Sequence, residues 1–398
     1  MMVTQLLFST LFWAVLATAG LNKPGCSSVT FSISAATPNP LYSGAPDPNN
    51  ETDIVKFVHN IFTGIVLQAT GTQAVSGTFN INSIYCRPLI SSPDDVLEIL
   101  VHGISYNKTM WSGLGFGDYY NWHTFANLNG YHTLAIDRLG HGTSDHPDPF
   151  ALVEGALQVE IMHQLIAMIK ASSNNPLGRS FDKIAYVSVA PCFRMSCVQF
   201  LSVTYLLTPL KVGHSYGSFI GGAHARIYPS DIDALVLTGF STAIDFDPVA
   251  NLQLASAATL CPERFPNTPL GYVTTAVESE RESAFYAGLY DHHIPQVDFA
   301  YKDTVTDGEV AGLGFILQPA FGYTNPVLLV TGVKDALFCH PPISSCRATL
   351  DASRVFFPDS TNFQYEAIPE TGHCLTLHYS APATLARVHQ FFNKLFRH

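Results

Sequence analysis

Five residues, Gly213-His214-Ser215-Tyr216-Gly217, form a G-x-S-x-G pentapeptide. A serine in this pattern can attack a carbonyl where it sits on a sharp turn between a buried strand and a helix. Its hydroxyl is a weak nucleophile at neutral pH, so the chemistry needs three further parts. A base must take the proton, a third group must orient the base, and backbone N–H groups must hold the oxyanion. Alone, the pentapeptide is a weak signal, because small residues around serine are frequent and a helix-capping serine is the alternative. Its weight comes from Ser218-Phe219-Ile220-Gly221-Gly222-Ala223, which keeps small residues where a helix has to lie close on a sheet.

The other parts belong just past apolar runs. Val327-Leu328-Leu329-Val330 is followed by Gly332 and then by Asp335, a carboxylate placed to orient a base or to cap a helix at Ala336. Asp245 and Asp247, beyond the preceding strand, are its rivals. Ile368-Pro369-Glu370-Thr371-Gly372-His373 offers His373 as the base, with His378 as the alternative five residues later. The oxyanion calls for two N–H donors. Tyr216 follows the nucleophile directly, and Ile104 follows a strand ending in His102-Gly103. His102 reads as a structural hydrogen-bonding residue rather than a base.

These residues need strands to hold them. After a polar, Pro-rich stretch from Thr37 to Asn50, strands are expected at Thr78–Tyr85, Val96–Val101, Tyr131–Asp137, Phe181–Val187, Ala234–Thr238, Pro326–Val330 and Phe363–Ile368. Leu157, Ile161, Leu165 and Met168 recur at helical spacing, so residues 152–170 form an amphipathic helix. A last helix opens near Ser380, with Pro382 in its first turn, and buries Leu385, Val388, Phe392 and Leu395. Strands alternating with helices imply an α/β fold with a mostly parallel, doubly wound sheet. The stretch from 241 to 324 is far longer than an ordinary loop. It is expected to form a cap over the carboxyl ends of the strands, where ligands bind in such sheets. The core would then comprise residues 20–240 and 325–398.

The joint order of these features resembles the α/β-hydrolase superfamily, in its branch of capped serine esterases, lipases and carbon–carbon hydrolases. His102-Gly103-Ile104, with Trp111 further along, is similar to that branch's H-G-x oxyanion segment. Asp137-Arg138-Leu139-Gly140-His141-Gly142-Thr143-Ser144-Asp145 is similar to its D-x-x-G-x-G-x-S turn. The likeness runs from about Phe79 to the C-terminus, and Ser215, Asp335 and His373 stand in the order it requires. It implies a serine ester hydrolase acting on a small-molecule ester or acyl substrate, with no cofactor. A carbon–carbon bond or lactone hydrolase on the same site is the alternative. Serine at the elbow departs from the aspartate of haloalkane dehalogenases and soluble epoxide hydrolases, so those activities are not implied.

One segment conflicts with an elbow. Leu207-Thr208-Pro209-Leu210-Lys211 makes a poor central strand, because proline removes a ladder hydrogen bond. Without residues 187–211 the chain reads Ile184-Ala185-Tyr186-Val212-Gly213-His214-Ser215, an apolar strand entering the elbow directly. Val187-Ser188 can be encoded GTGAGT or GTAAGT, Leu207-Thr208 can contain CTAAC, and Lys211 can be AAG. These are a splice donor, a branch point and an acceptor in the right order, and the twenty-five codons keep the frame. The segment reads as a retained intron. If it is truly present, the protein could instead be a catalytically inactive member of the fold.

Composition sets the outer limits. Only 13% of the 398 residues are charged and 47% are apolar, enough for a large core. A net charge of −11 argues against nucleic acid, which is bound through Lys and Arg. His292-His293 has no ligand set at zinc-like spacing nearby and reads as part of a solvated cap helix, so no metal is expected. Leu6 to Ala17 is an apolar run closed by Ala17-Thr18-Ala19, which reads as a signal peptide over 1–19 and is too short for a membrane anchor. Asn50-Glu51-Thr52 and Asn107-Lys108-Thr109 are N-glycan sequons. Together these features suggest a secreted fungal protein. Its cysteines are then disulfide candidates, with Cys26–Cys86, Cys261–Cys374 and Cys339–Cys346 as the pairing and Cys192 and Cys197 lost with the intron. Mass spectrometry of secreted material should find a chain starting near Gly20 with a glycan on Asn50. An intact Met1 in the medium would sink the leader.

Overall fold

The structure is a computed structural model that describes residues 25–88, 90, 96–188, 216–339 and 343–397. The expected leader, Ser215, all of the 187–211 segment beyond Ser188, Cys192, Cys197 and the Pro341-Pro342 turn lie outside those residues.

Short apolar runs become the middle of the sheet. Strands β1 (Cys26–Tyr42) and β2 (Ala69–Cys86) form a long antiparallel ribbon, with helix α1 (Glu51–Phe62) between them. Next come β3 (Val96–Val101), β4 (His132–Ile136), helix α2 (Gly155–Ala171), β5 (Lys183–Ser188), helix α3 (Tyr216–Ile227) and β6 (Ala234–Thr238). Three short strands follow, β7 (Leu254–Ser256), β8 (Tyr272–Thr275) and β9 (Val305–Thr306), with helices α4 (Glu278–Phe285) and α5 (Ile294–Tyr301) among them. The chain finishes with β10 (Val327–Gly332), β11 (Phe363–Ile368) and helix α6 (Ala381–Phe396).

Eight strands make one sheet in the order β1-β2-β4-β3-β5-β6-β10-β11. Every neighbouring pair from β4 to β11 is parallel, and only the pairings of β2 with β1 and β4 are antiparallel. β3, β4, β6 and β10 are buried along their whole length, as strands covered on both faces must be. β7, β8 and β9 form a separate antiparallel sheet within the stretch between β6 and β10.

Three expectations need correction. The stretch from Thr37 is not loop as far as Tyr42, because β1 runs through it. Pro38 and Pro40 are tolerated there since β1 is the edge of the sheet, where a missing N–H need cost no ladder bond. Cys26–Cys86 and Cys339–Cys346 are bonded as expected, but Cys261 and Cys374 are both free. The Cys374 thiol is buried against the Tyr106 hydroxyl at 3.1 Å, a polar contact that satisfies it without a disulfide. His292 and His293 precede α5 rather than lying in a helix, and His293 bonds Asp291 at 3.0 Å. No described helix is long and apolar enough to cross a membrane.

Candidate active site

Asp335 and His373 are brought together by the way two adjacent parallel strands end. Val333 N–H donates to Ile368 O and Lys334 N–H to Thr371 O, so the turn after β10 is zipped to the loop after β11. The approach is possible because Gly332 has no side chain. A Cβ there would lie 2.2 Å from the carbonyl oxygens of both Thr371 and Gly372. The result is a contact of 2.6 Å between His373 Nδ1 and Asp335 Oδ2, with both side chains fully buried. The second carboxylate oxygen, Oδ1, accepts the Leu337 and Phe338 N–H groups at 3.1 and 3.3 Å. One oxygen of Asp335 thus caps the turn and the other contacts the imidazole. With Nδ1 committed to Asp335, Nε2 is the ring nitrogen that Asp335 does not hold.

The rival residues are engaged elsewhere. His378 accepts the Gly372 N–H on Nε2 at 3.1 Å and bonds Cys374 O through Nδ1 at 2.7 Å, and burial pushes its pKa down to about 4. Asp245 accepts the Asp247 N–H at 3.0 Å, while Asp247 itself is exposed at the start of a short helix. His102 uses both ring nitrogens on the backbone, accepting Arg138 N–H on Nε2 at 3.0 Å and bonding Gly103 O through Nδ1 at 2.8 Å. Burial, with Arg138 and His141 nearby, holds its pKa well below the usual imidazole range. It is a neutral brace for the turn.

The two expected oxyanion donors lie on abutting segments. Tyr216 opens α3, whose N-terminus favours negative charge. Gly217 follows it, and a Cβ there would strike the carbonyl oxygens of Val101 and His102 at 2.6 Å. Only glycine lets α3 come this close to the end of β3, and Gly221 packs as tightly against the Tyr186 ring. Ile104 is buried, and Ser105 after it adopts φ +57°, a left-handed conformation uncommon for serine. Ser215 itself lies outside the described residues.

The turn after β4 supports this side of the site. Asp137 accepts the N–H groups of Lys108 and Thr143, each at 2.8 Å, and forms a buried ion pair with Lys108. Gly142, at φ +56°, leaves the room its carboxylate needs. Arg138 donates to the carbonyls of His102 and Gly103 and forms a buried ion pair with Glu309, from the stretch between β6 and β10. Burial disfavours charge on His141, but Glu309 beside it raises its pKa. Burial likewise opposes ionisation of Glu309, yet Arg138 and His141 hold its pKa well below the usual carboxylate range.

The Alpha/beta hydrolase family profile matches residues 99–388, spanning both strand-end loops and the oxyanion segment. The chain belongs to the alpha/beta hydrolase family. No curated protein matches it in sequence. Among solved structures, a thermophilic esterase from Thermogutta terrifontis is similar over 80% of this chain and 95% of its own, at 14% identity and a TM-score of 0.48. A serine hydrolase from Cycloclasticus zankles covers 81% of this chain and 97% of its own, at 14% identity and a TM-score of 0.46. Est1E from Butyrivibrio proteoclasticus, solved with ferulic acid, covers 79% and 95%, at 16% identity and a TM-score of 0.43.

In this alpha/beta hydrolase several residues around the site carry no sequence signal. Arg281, Asp298, Asp303 and Glu309 reach it from the stretch between β6 and β10, and all are buried. Lone charged residues far along a chain do not announce their partners, although four charges at fully buried positions require them. The Asn107 amide donates to Asp303 Oδ2 at 2.9 Å and is half-buried, whereas Asn50 is exposed as the N-cap of α1.

His373→Ala should abolish turnover of a p-nitrophenyl ester while His378→Ala keeps the chemistry. Asp335→Asn should lower kcat by up to about 10⁴-fold with little change in KM, as loss of the orienting carboxylate does in a serine triad. Full activity in Asp335→Asn, with loss in Asp245→Asn or Asp247→Asn, would move the role to the strand before.

Proposed function

We propose that this alpha/beta hydrolase is a serine hydrolase of carboxylic esters. The observation that carries the reading is the buried 2.6 Å contact between His373 Nδ1 and Asp335 Oδ2 on neighbouring strand-end loops. It stands downstream of a G-x-S-x-G serine in the order the chemistry needs. In this reading Ser215 Oγ attacks the ester carbonyl and His373 Nε2 takes its proton. The N–H groups of Ile104 and Tyr216 hold the oxyanion, each typically contributing about 10²–10³ in rate. His373 then returns the proton to the leaving alcohol, leaving an acyl-enzyme on Ser215. Water activated by the same imidazole releases the acid. Asp335 stays ionised throughout and stabilises the imidazolium.

The domain reading goes with it: a leader over 1–19, a core over 20–240 and 325–398, a cap over 241–324 and secretion with a glycan on Asn50. A fluorophosphonate probe tests the function, since labelling requires a working nucleophile and base. Labelling should be lost in Ser215→Ala while the thermal unfolding temperature is kept. Undiminished labelling in Ser215→Ala would refute the assignment.

The 187–211 segment belongs to the same proposal. β5 ends at Ser188 and α3 begins at Tyr216. Within β5, Val187 is buried and pairs with Leu100 and Val236, and Ser188 pairs with Val101 and Leu237. In a chain without 187–211, Val212 and Gly213 would follow Tyr186 and take those two positions, valine replacing valine. The strand would keep its register and run straight into the elbow. Transcripts from the source should therefore lack codons 187–211, and protein without them should fold and hydrolyse esters faster than the full-length form. A cDNA that retains them and yields the more active enzyme would overturn the intron.

A further inference from the structure

We infer that Arg281 and Asp298 form a positioning pair that sets the oxyanion donor Ile104 by gripping the residue after it, Ser105; this rests on the serine-hydrolase reading of the site. The two residues stand on α4 and α5, and each is 1% exposed. Their contact is bidentate, Arg281 Nε to Asp298 Oδ2 at 3.1 Å and Nη2 to Oδ1 at 2.9 Å, a fork that fixes the guanidinium plane. The remaining donors go to the oxyanion loop. Arg281 Nη1 donates to Ser105 Oγ at 2.9 Å, and Nη2 reaches Ser105 O at 3.4 Å. The Tyr106 hydroxyl donates to Asp298 Oδ2 at 2.8 Å, so two consecutive loop residues are held by one ion pair.

The grip matters because of the conformation it holds. Ser105 at φ +57° occupies a region that L-residues with a Cβ leave readily, so the surrounding contacts must over-determine it. The backbone of Ser105 also pairs with the stretch between β6 and β10, through Ser105 N–H to Thr304 O at 2.9 Å and Asp303 N–H to Ser105 O at 2.8 Å. Rotation about Ser105 would swing the preceding peptides, and with them the Ile104 N–H. Stability alone accounts poorly for the pair, since a fully buried ion pair is often no more stabilising than apolar side chains of the same volume. The cluster also touches the base side, where the Tyr106 hydroxyl meets Cys374 Sγ next to His373.

Two variants of the full chain test the inference. Arg281→Lys keeps the charge but loses the fork, and the double variant Arg281→Gln with Asp298→Asn removes both charges together, so neither is left buried and unpaired. In each folded variant, amide exchange over 103–106 should accelerate at least about 10-fold while exchange in β3 is unchanged, since local opening is read separately from global unfolding. On p-nitrophenyl butyrate, kcat should fall by about 10²-fold with KM within about threefold, the pattern of a lost oxyanion donor. Inhibition by an alkyl trifluoromethyl ketone, whose adduct carries an oxyanion, should weaken by the same factor. Unchanged exchange at 103–106 in either folded variant overturns the inference, as does a raised KM with kcat preserved. Wild-type protein that neither turns over the ester nor labels with a fluorophosphonate would count against the serine-hydrolase reading instead, and the exchange result would still decide the loop.

Discussion

The site depends on backbone lying against backbone with nothing between. At Gly332 the turn after β10 meets the carbonyls of Thr371 and Gly372, and at Gly217 the start of α3 meets those of Val101 and His102. In each place one methyl group would force main chain to move, and main chain in a parallel sheet buried on both faces has little freedom to do so. These two contacts decide where Asp335, His373 and the segments that carry Ile104 and Tyr216 can lie. The side-chain hydrogen bonds then refine positions that the glycines have made possible.

Much of the sheet was legible because strands buried on both faces, such as Val96–Val101 and Ala234–Thr238, read as nearly continuous apolar runs, whereas the edge strand β11 mixes polar and apolar residues. The bounds expected for Val96–Val101, Ala234–Thr238 and Phe363–Ile368 are those observed. The edge ribbon was harder. Val29, Phe31, Ile33 and Ala35 alternate with polar residues as a half-buried strand should, but the prolines that follow suggest loop unless the strand is known to be an edge. Asp335 and His373 could be located because each follows a strand and a glycine, a local signal. In the structure His373 meets Asp335, while both nitrogens of His378 are spent on backbone. Counting cysteines misled for Cys261 and Cys374, because parity takes no account of a thiol buried against a tyrosine hydroxyl.

A chain with so few charges places several of them inside. Lys108 with Asp137, Arg138 with Glu309 and Arg281 with Asp298 are all enclosed, and each borders the oxyanion loop or the turn beside it. Apolar contacts would hold these segments together over a range of small shifts. A buried ion pair tolerates far less, because a displaced partner leaves a charge without compensation. The stretch between β6 and β10 is thereby held to the core in one register, with Glu309 and Thr304 as fixed points.

The ribbon of β1 and β2 continues well past the sheet, since β2 pairs with β4 only over Ser83–Cys86. The helix within it reaches the stretch between β6 and β10, and its far end lies against the start of α2. Glu51 on α1 accepts from Ser256 N–H and from the Thr259 hydroxyl, and Tyr42 donates to Glu154. The arm thus acts as an outrigger, tied at its root by Cys26–Cys86 and bearing through α1 on the stretch between β6 and β10. All of it precedes residue 99, where the family likeness begins. The length of chain that the family match covers and the length that braces the molecule are therefore different.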